Sequence, residues 1–192
     1  MIGYASDEAG DPPPDVAAKS ANGDLANAPC KQTHAAFEAA YPPFTTDEEA
    51  RSVVRRVNRD GGLGWSTWTW ARLQSTKGAR PAFVYFFDVR TASQANGAPH
   101  GSEYPYVFGN FVPGATEHDR GLSTLLRKYL VNFAATGDPN GAGLPEWRSF
   151  DGRSNQALVI DRAPSSRELP GLAGIKAFDA FYECLVHENP AR

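Results

Sequence analysis

Hydrophobic positions along the chain fall first into short continuous runs. Ile2 to Ala5 is one such run, and residues 81–89 form another, Pro-Ala-Phe-Val-Tyr-Phe-Phe-Asp-Val, which is apolar on both faces. A strand that is covered on both sides within a parallel sheet has this appearance. We therefore expect strands at both places, with 81–89 as the central one, and a further short strand over residues 158–161.

Other apolar positions recur with helical spacing. Thr45 and Thr46 each precede a glutamate by three residues, which is the capping-box pattern at the start of a helix. The positions that follow occupy one helical face: Ala50, Val53, Val54 and Val57. Similar patterns predict helices over residues 35–41, 65–70, 122–133 and 178–185. The order of strands and helices predicts an α/β fold with a partial, mostly parallel sheet flanked by helices.

Two stretches interrupt this pattern. Residues 11–29 are rich in Pro, Ala, Asn and Gly and have no hydrophobic period, so they predict an irregular surface excursion. Residues 60–64, Asp-Gly-Gly-Leu-Gly, are expected to break the preceding helix. Neither a phosphate-binding loop nor the histidine-led glycine run of an oxyanion hole is present there.

The length and the charge of the chain limit the number of domains and the classes of partner that can be expected. A chain of 192 residues is long enough for one core, and we expect residues 1–192 to form a single unit. The net charge of -3 comes from interspersed acids and bases, which predicts neither a nucleic acid nor an anionic membrane as a partner. No run approaches a membrane span, the first residues lack the pattern of a signal peptide, and no compartment is predicted. Cys30 and Cys184 have no metal or redox spacing, and whether they pair is left open.

One histidine is the strongest candidate for chemistry. His100 lies between small residues in a loop after the central strand, where an imidazole is free to act as a general base. Glu103 is close enough in sequence to brace it. A lone loop histidine is more often an ordinary surface or hydrogen-bonding residue, so residue types alone do not assign His100 a catalytic role. No cofactor and no metal site are predicted.

The amino-acid sequence of this loop resembles a segment found in a known protein family. The stretch Gly97-Ala98-Pro99-His100-Gly101-Ser102-Glu103-Tyr104-Pro105-Tyr106-Val107-Phe108-Gly109-Asn110 is similar to the catalytic-histidine segment of type-B carboxylesterases, the group of para-nitrobenzyl esterase and the cholinesterases. Three other stretches resemble the family in the same order: Met1–Glu8, Trp65–Gln74 and Asn132–Asn140. The resemblance covers nearly the whole chain.

The resemblance implies the C-terminal portion of an α/β-hydrolase fold and a role for several residues. It makes Glu8 the acid and His100 the base of a Ser-Glu-His triad, with Glu103 supporting them indirectly. Asp7 is the alternative acid, because Ala9 stands where the family has a glycine. The helix with three tryptophans either lines the acyl pocket or simply packs in the core: Trp65, Trp68 and Trp70.

The nucleophile of such a triad is not found in this sequence. The serine of an α/β-hydrolase lies in Gly-x-Ser-x-Gly, ahead of the acid and the histidine in the chain. Three serines have a glycine two residues before them: Ser66, Ser123 and Ser154. None has the second glycine of the motif, because the residues two positions later are Trp68, Leu125 and Gln156. We therefore expect residues 1–192 to be the C-terminal part of a carboxylesterase domain, with the elbow and earlier strands in a missing N-terminal half. Its substrate would be a small carboxylic ester.

Two alternatives remain at this stage. One is a non-catalytic, cholinesterase-like binding or adhesion module, which the retained Glu8 and His100 argue against. The other is a self-contained enzyme that uses Ser102, but a serine two residues from its base has no elbow to hold it. Whether the chain is an enzyme is therefore left undecided by its sequence.

Activity of the isolated chain distinguishes these alternatives. Without the elbow serine, covalent catalysis is lost, so the 192-residue chain is expected not to hydrolyse short-chain nitrophenyl esters. The measurement is a steady-state assay of nitrophenol release. Saturable turnover that disappears in His100→Ala would show that a nucleophile lies among these residues.

Overall fold

The structure is a computed structural model that describes residues 1–10, Pro12 and residues 29–188. Most of the irregular excursion expected over residues 11–29 lies outside the described residues. Within the described ranges, no helix is both long enough and apolar enough to cross a membrane.

The chain forms two compact units. The sheet unit consists of Met1–Ser6 and Ala71–Leu169, and the helical unit consists of Asp7–Trp70 and Pro170–Arg192. The single unit expected from the sequence stays a prediction. The helices are α1 (His34–Ala40), α2 (Asp47–Arg59), α3 (Trp65–Lys77), α4 (Tyr104–Phe108), α5 (Glu117–Thr136) and α6 (Leu172–Glu188).

The sheet unit is built on four strands. They are β1 (Ile2–Ala5), β2 (Val84–Phe87), β3 (Gln156–Ile160) and β4 (Ser165–Glu168), and they lie in this order in the sheet. β1 pairs with β2 and β2 with β3 in parallel, whereas β4 runs antiparallel to β3. The three expected strands and the interior position of β2 are confirmed. β4 was not predicted, because its sequence, Ser-Ser-Arg-Glu, does not alternate apolar and polar residues.

The core of the sheet unit explains why β2 is apolar on both faces. Val84 and Phe87 are completely buried. Residues from the sheet, α5 and the loops form one cluster: Ala5, Phe83, Phe87, Val89, Ala98, Leu122, Leu126, Tyr129, Trp147, Leu158 and Ile160. Trp147 also donates its indole N–H to the Val84 carbonyl at 2.9 Å, which satisfies the polar atom of a buried ring.

In the helical unit, the expected break between α2 and α3 is wrong. Asp60–Gly64 form a π-helical turn that joins the two helices. The glycines permit it, since a Cβ at Gly61 would lie 2.6 Å from the Phe178 ring. Asp60 is buried and is paired with Arg59 at 2.7 Å. Burial is the largest influence on the Asp60 carboxyl and raises its pKa, and Arg59 opposes that change.

A disulfide joins the two stretches of chain that make up the helical unit. Cys30, just before α1, is bonded to Cys184 in α6 across 154 positions of sequence. The sequence left this pairing open, and the structure shows it formed. A cross-link over so long a segment restricts the unfolded chain strongly.

Removal of this cross-link gives a test of its contribution. Replacing both cysteines by serine is expected to lower the free energy of unfolding by about 2–5 kcal/mol, because the unfolded chain regains its freedom. Denaturant unfolding with and without reductant provides the measurement. The wild-type chain should lose stability on reduction and the double variant should not; equal responses would show that the bond contributes nothing.

Candidate active site

The candidate residues follow the carboxyl ends of two parallel strands. Beyond β1, the Ser6 amide donates to the Phe87 carbonyl at 2.9 Å, which continues the ladder by one residue. Beyond β2, the Asp88 amide donates to the Ile160 carbonyl at 2.7 Å. Asp7 and Glu8 come next after Ser6, and both are half-buried.

His100 occupies a β-turn. The Ser102 amide donates to the Pro99 carbonyl at 3.0 Å and closes the turn, with His100 as its second residue. The third residue, Gly101, has a φ of 76°, a left-handed conformation that favours glycine. His100 itself is solvent-exposed. The turn therefore places His100 outside the buried core of the sheet unit.

The segment after the turn is fixed to the longest helix. The Tyr106 hydroxyl donates to the Asp119 carboxylate at 2.8 Å, and the Ser123 hydroxyl donates to the Tyr106 carbonyl at 2.7 Å. The hydrogen bond from the Thr116 side chain is the main reason why the pKa of Asp119 is lowered, and Tyr106 adds to it. These contacts hold α4 against α5, so the turn is anchored on its C-terminal side.

Two polar side chains of the turn have buried atoms without a hydrogen bond. Among the described residues, neither Ser102 Oγ nor Glu103 Oε2 has a partner. Buried oxygens are normally paired, so such atoms call for a reason. The Glu103 backbone carbonyl, by contrast, accepts from the Tyr106 and Val107 amides, each at 3.0 Å, and begins α4.

The three tryptophans of α3 differ in environment. Trp65 donates its indole N–H to Asp179 at 3.0 Å and packs on the Tyr182 ring at 4.4 Å, both within the helical unit. Trp68 is 5% exposed, whereas Trp70 is 69% exposed. Trp65 and Trp68 thus have the packing that the simpler interpretation expects. A role in lining a substrate pocket stays a prediction for all three.

The structure brings only some of the predicted residues into one unit. His100 and Glu103 lie in the same turn of the sheet unit, whereas Asp7, Glu8 and the tryptophans belong to the helical unit. The triad assignment therefore stays a prediction. Sequence reasoning also missed Ser6 and Asp88, whose side chains hold the loop before His100; the only signal was an acid directly after the central buried strand.

Two other features of the structure have the composition of a binding site. A cavity of about 560 Å³ in the sheet unit is lined partly by Asp138, Trp147 and Asp151, and none of the predicted site residues lines it. In the helical unit, ligand atoms of Cys30, Cys184 and Glu188 lie within 4.8 Å of one another. Because the two sulfurs are bonded together and a metal takes the thiolate, this group is a cross-link.

Comparison with known proteins identifies the family. A profile of the Carboxylesterase family matches residues 16–172. The chain is 43% identical to human cocaine esterase over 95 residues, 44% of this chain and 17% of that protein. It is 31% identical to rat carboxylesterase 1C over 118 residues, 57% of this chain and 21% of that protein. The chain therefore spans about a fifth of the length of these relatives.

A solved structure shows the same fold. PNB esterase superposes with a TM-score of 0.66 at 20% identity, over 92% of this chain and 37% of that one. The fold is thus that of an α/β-hydrolase esterase, as the sequence suggested. The chain belongs to the carboxylesterase family.

The conformation of Gly101 gives a test of the His100 turn. Gly101→Ala is expected to destabilise the chain by about 1–2 kcal/mol, because the backbone is left-handed there. The added Cβ would also meet the Tyr104 ring at 3.3 Å. The control is Gly121→Ala in α5, where the added Cβ would meet no atom within 4 Å apart from its own stretch of helix; this change should stabilise by about 0.5–1 kcal/mol. Denaturant unfolding that shows no loss for Gly101→Ala would contradict the turn.

Proposed function

We propose that this chain is the part of a carboxylic-ester hydrolase that supplies the base and the acid of a Ser-Glu-His triad. His100 is the general base, Glu8 is the acid, and the serine belongs to a segment outside this sequence. Membership of the carboxylesterase family supports the reaction class. The relatives carry names that include cocaine esterase and carboxylesterase, which supports a small carboxylic ester as the substrate class.

One observation carries the proposal. His100 is the exposed second residue of a turn that follows the central strand β2, and Glu8 follows β1, the parallel neighbour of β2. Open α/β sheets form their sites beyond the carboxyl ends of such strands. Hydrogen bonds also hold this turn on both sides, through Tyr106 after it and through Ser6 before it, which supports a fixed place for the imidazole.

In the proposed reaction, each residue of the triad handles a proton at a defined atom. Nε2 of His100 accepts the proton of the serine hydroxyl as its oxygen attacks the ester carbonyl, and then gives that proton to the departing alcohol. Water attacks the acyl-serine in the second half by the same route. Glu8 accepts the Nδ1 proton, holds the tautomer and stabilises the imidazolium. Asp7 is the alternative acid, and Glu103 supports the turn.

A fusion protein tests this function. The Gly-x-Ser-x-Gly segment and earlier strands of a para-nitrobenzyl esterase are joined ahead of Met1, and nitrophenyl butyrate hydrolysis is measured. His100→Ala is expected to lower kcat by about 10² to 10⁴ with little change in KM, because the base is lost. Glu8→Gln should lower kcat as well. The matched control, Glu183→Gln, changes an exposed acid of α6 and should leave kcat unchanged.

Two outcomes would contradict the proposal. One is an active fusion whose kcat does not change in His100→Ala. The other is a fusion that unfolds cooperatively but does not hydrolyse the ester, which would favour the non-catalytic binding module instead.

A further inference from the structure

One buried hydroxyl links the two segments that lead to the candidate acid and base. Ser6 Oγ accepts a hydrogen bond from the Ala98 amide at 2.7 Å and donates one to the Asp88 carboxylate. Ser6 is 8% exposed and directly follows β1. Its hydroxyl is therefore held in one orientation, with a donor on one side and a carboxylate on the other.

The Ala98 amide depends on this contact. Ala98 is completely buried, and a buried backbone N–H needs an acceptor. The acceptor is a side chain from a segment 92 positions away in the sequence. This hydroxyl therefore ties Ala98 to the end of β1, in addition to the packing of Ala98 with Ala5 in the core cluster.

Asp88 and Arg90 keep that hydroxyl in place. Arg90 pairs with both Asp88 oxygens, through Nε at 2.7 Å and through a terminal nitrogen at 2.9 Å. Arg90 also donates to the Ala95 carbonyl at 3.1 Å. A two-point contact of this kind fixes direction as well as distance. The loop from β2 to His100 is thereby held at Asp88, Ala95 and Ala98.

The placement of Ser6 in the chain gives this network a functional meaning. Glu8 lies two residues after Ser6, and His100 lies two residues after Ala98. We infer that Ser6 is a positioning residue, oriented by Asp88 and Arg90, that fixes the loop before His100 and with it the place of the imidazole. This inference rests on the proposed function, because it assumes that His100 is the base of the triad.

Nuclear magnetic resonance on the 192-residue chain tests the inference directly. The chain has four histidines, so the His100 ring signal can be assigned from a His100→Ala spectrum. Ser6→Ala is expected to speed hydrogen exchange of the Ala98 amide roughly tenfold, since its acceptor is lost. The pH midpoint of the His100 titration should also fall, because a misplaced carboxylate stabilises the imidazolium less.

Controls separate positioning from general damage. Ser6→Thr keeps the hydroxyl and should restore both readouts, whereas Ser149→Ala removes an exposed hydroxyl and should change neither. Arg90→Gln provides a second variant if Ser6→Ala does not fold, because the Arg90 side chain is 43% exposed. It should produce smaller changes of the same sign at Ala98 and His100.

A double-variant comparison keeps the two proposals distinguishable. Glu8→Gln should lower the proton affinity of His100 about tenfold, and adding Ser6→Ala should then lower it no further. If Glu8→Gln and Asp7→Asn have no effect, the proposed function fails. If Glu8→Gln has its effect but Ser6→Ala and Arg90→Gln leave Ala98 exchange and the His100 midpoint unchanged, the positioning inference is overturned.

Discussion

Parallel pairing of β1 with β2 is the constraint on which the candidate site depends. Parallel strands end at the same edge of a sheet, so the residues that follow β1 and β2 leave from the same end. The pairing is close: a Cβ at Gly3 would lie 2.4 Å from Tyr85, and only glycine fits there. Beyond the strands, the Ser6 amide continues the ladder by donating to the Phe87 carbonyl, and the Ser6 hydroxyl accepts a hydrogen bond from the Ala98 amide.

Local patterns predicted the parts of the fold that local physics determines. The doubly apolar run of β2 predicted a central strand, and the capping box at Thr46 and Glu49 formed as its spacing indicates. The prediction that the glycine-rich residues 60–64 break the helix was wrong, because glycine permits a π-helical turn as readily as a break. Their helical path depends on distant residues, among them Phe178 and Tyr182 of α6, which no local pattern reveals.

The candidate site was predicted through resemblance more than through physics. His100 and Glu8 stood out because their sequence contexts are similar to those of a family, and the family itself is now shown. The network of Ser6, Asp88 and Arg90 was not predicted. Its members are far apart in sequence, and a serine after a short strand carries no signal until the fold brings an acid and a buried amide to it.

The proposed triad requires that a carboxylate accept the Nδ1 proton of His100. The tautomer of the neutral ring measures this most directly, through the nitrogen chemical shifts of His100 in a long-range ¹H–¹⁵N spectrum above its titration midpoint. A Ser-Glu-His triad predicts a proton on Nδ1 and none on Nε2, and loss of that preference in Glu8→Gln. A neutral ring that carries its proton on Nε2, unaffected by Glu8→Gln and Asp7→Asn, would contradict it.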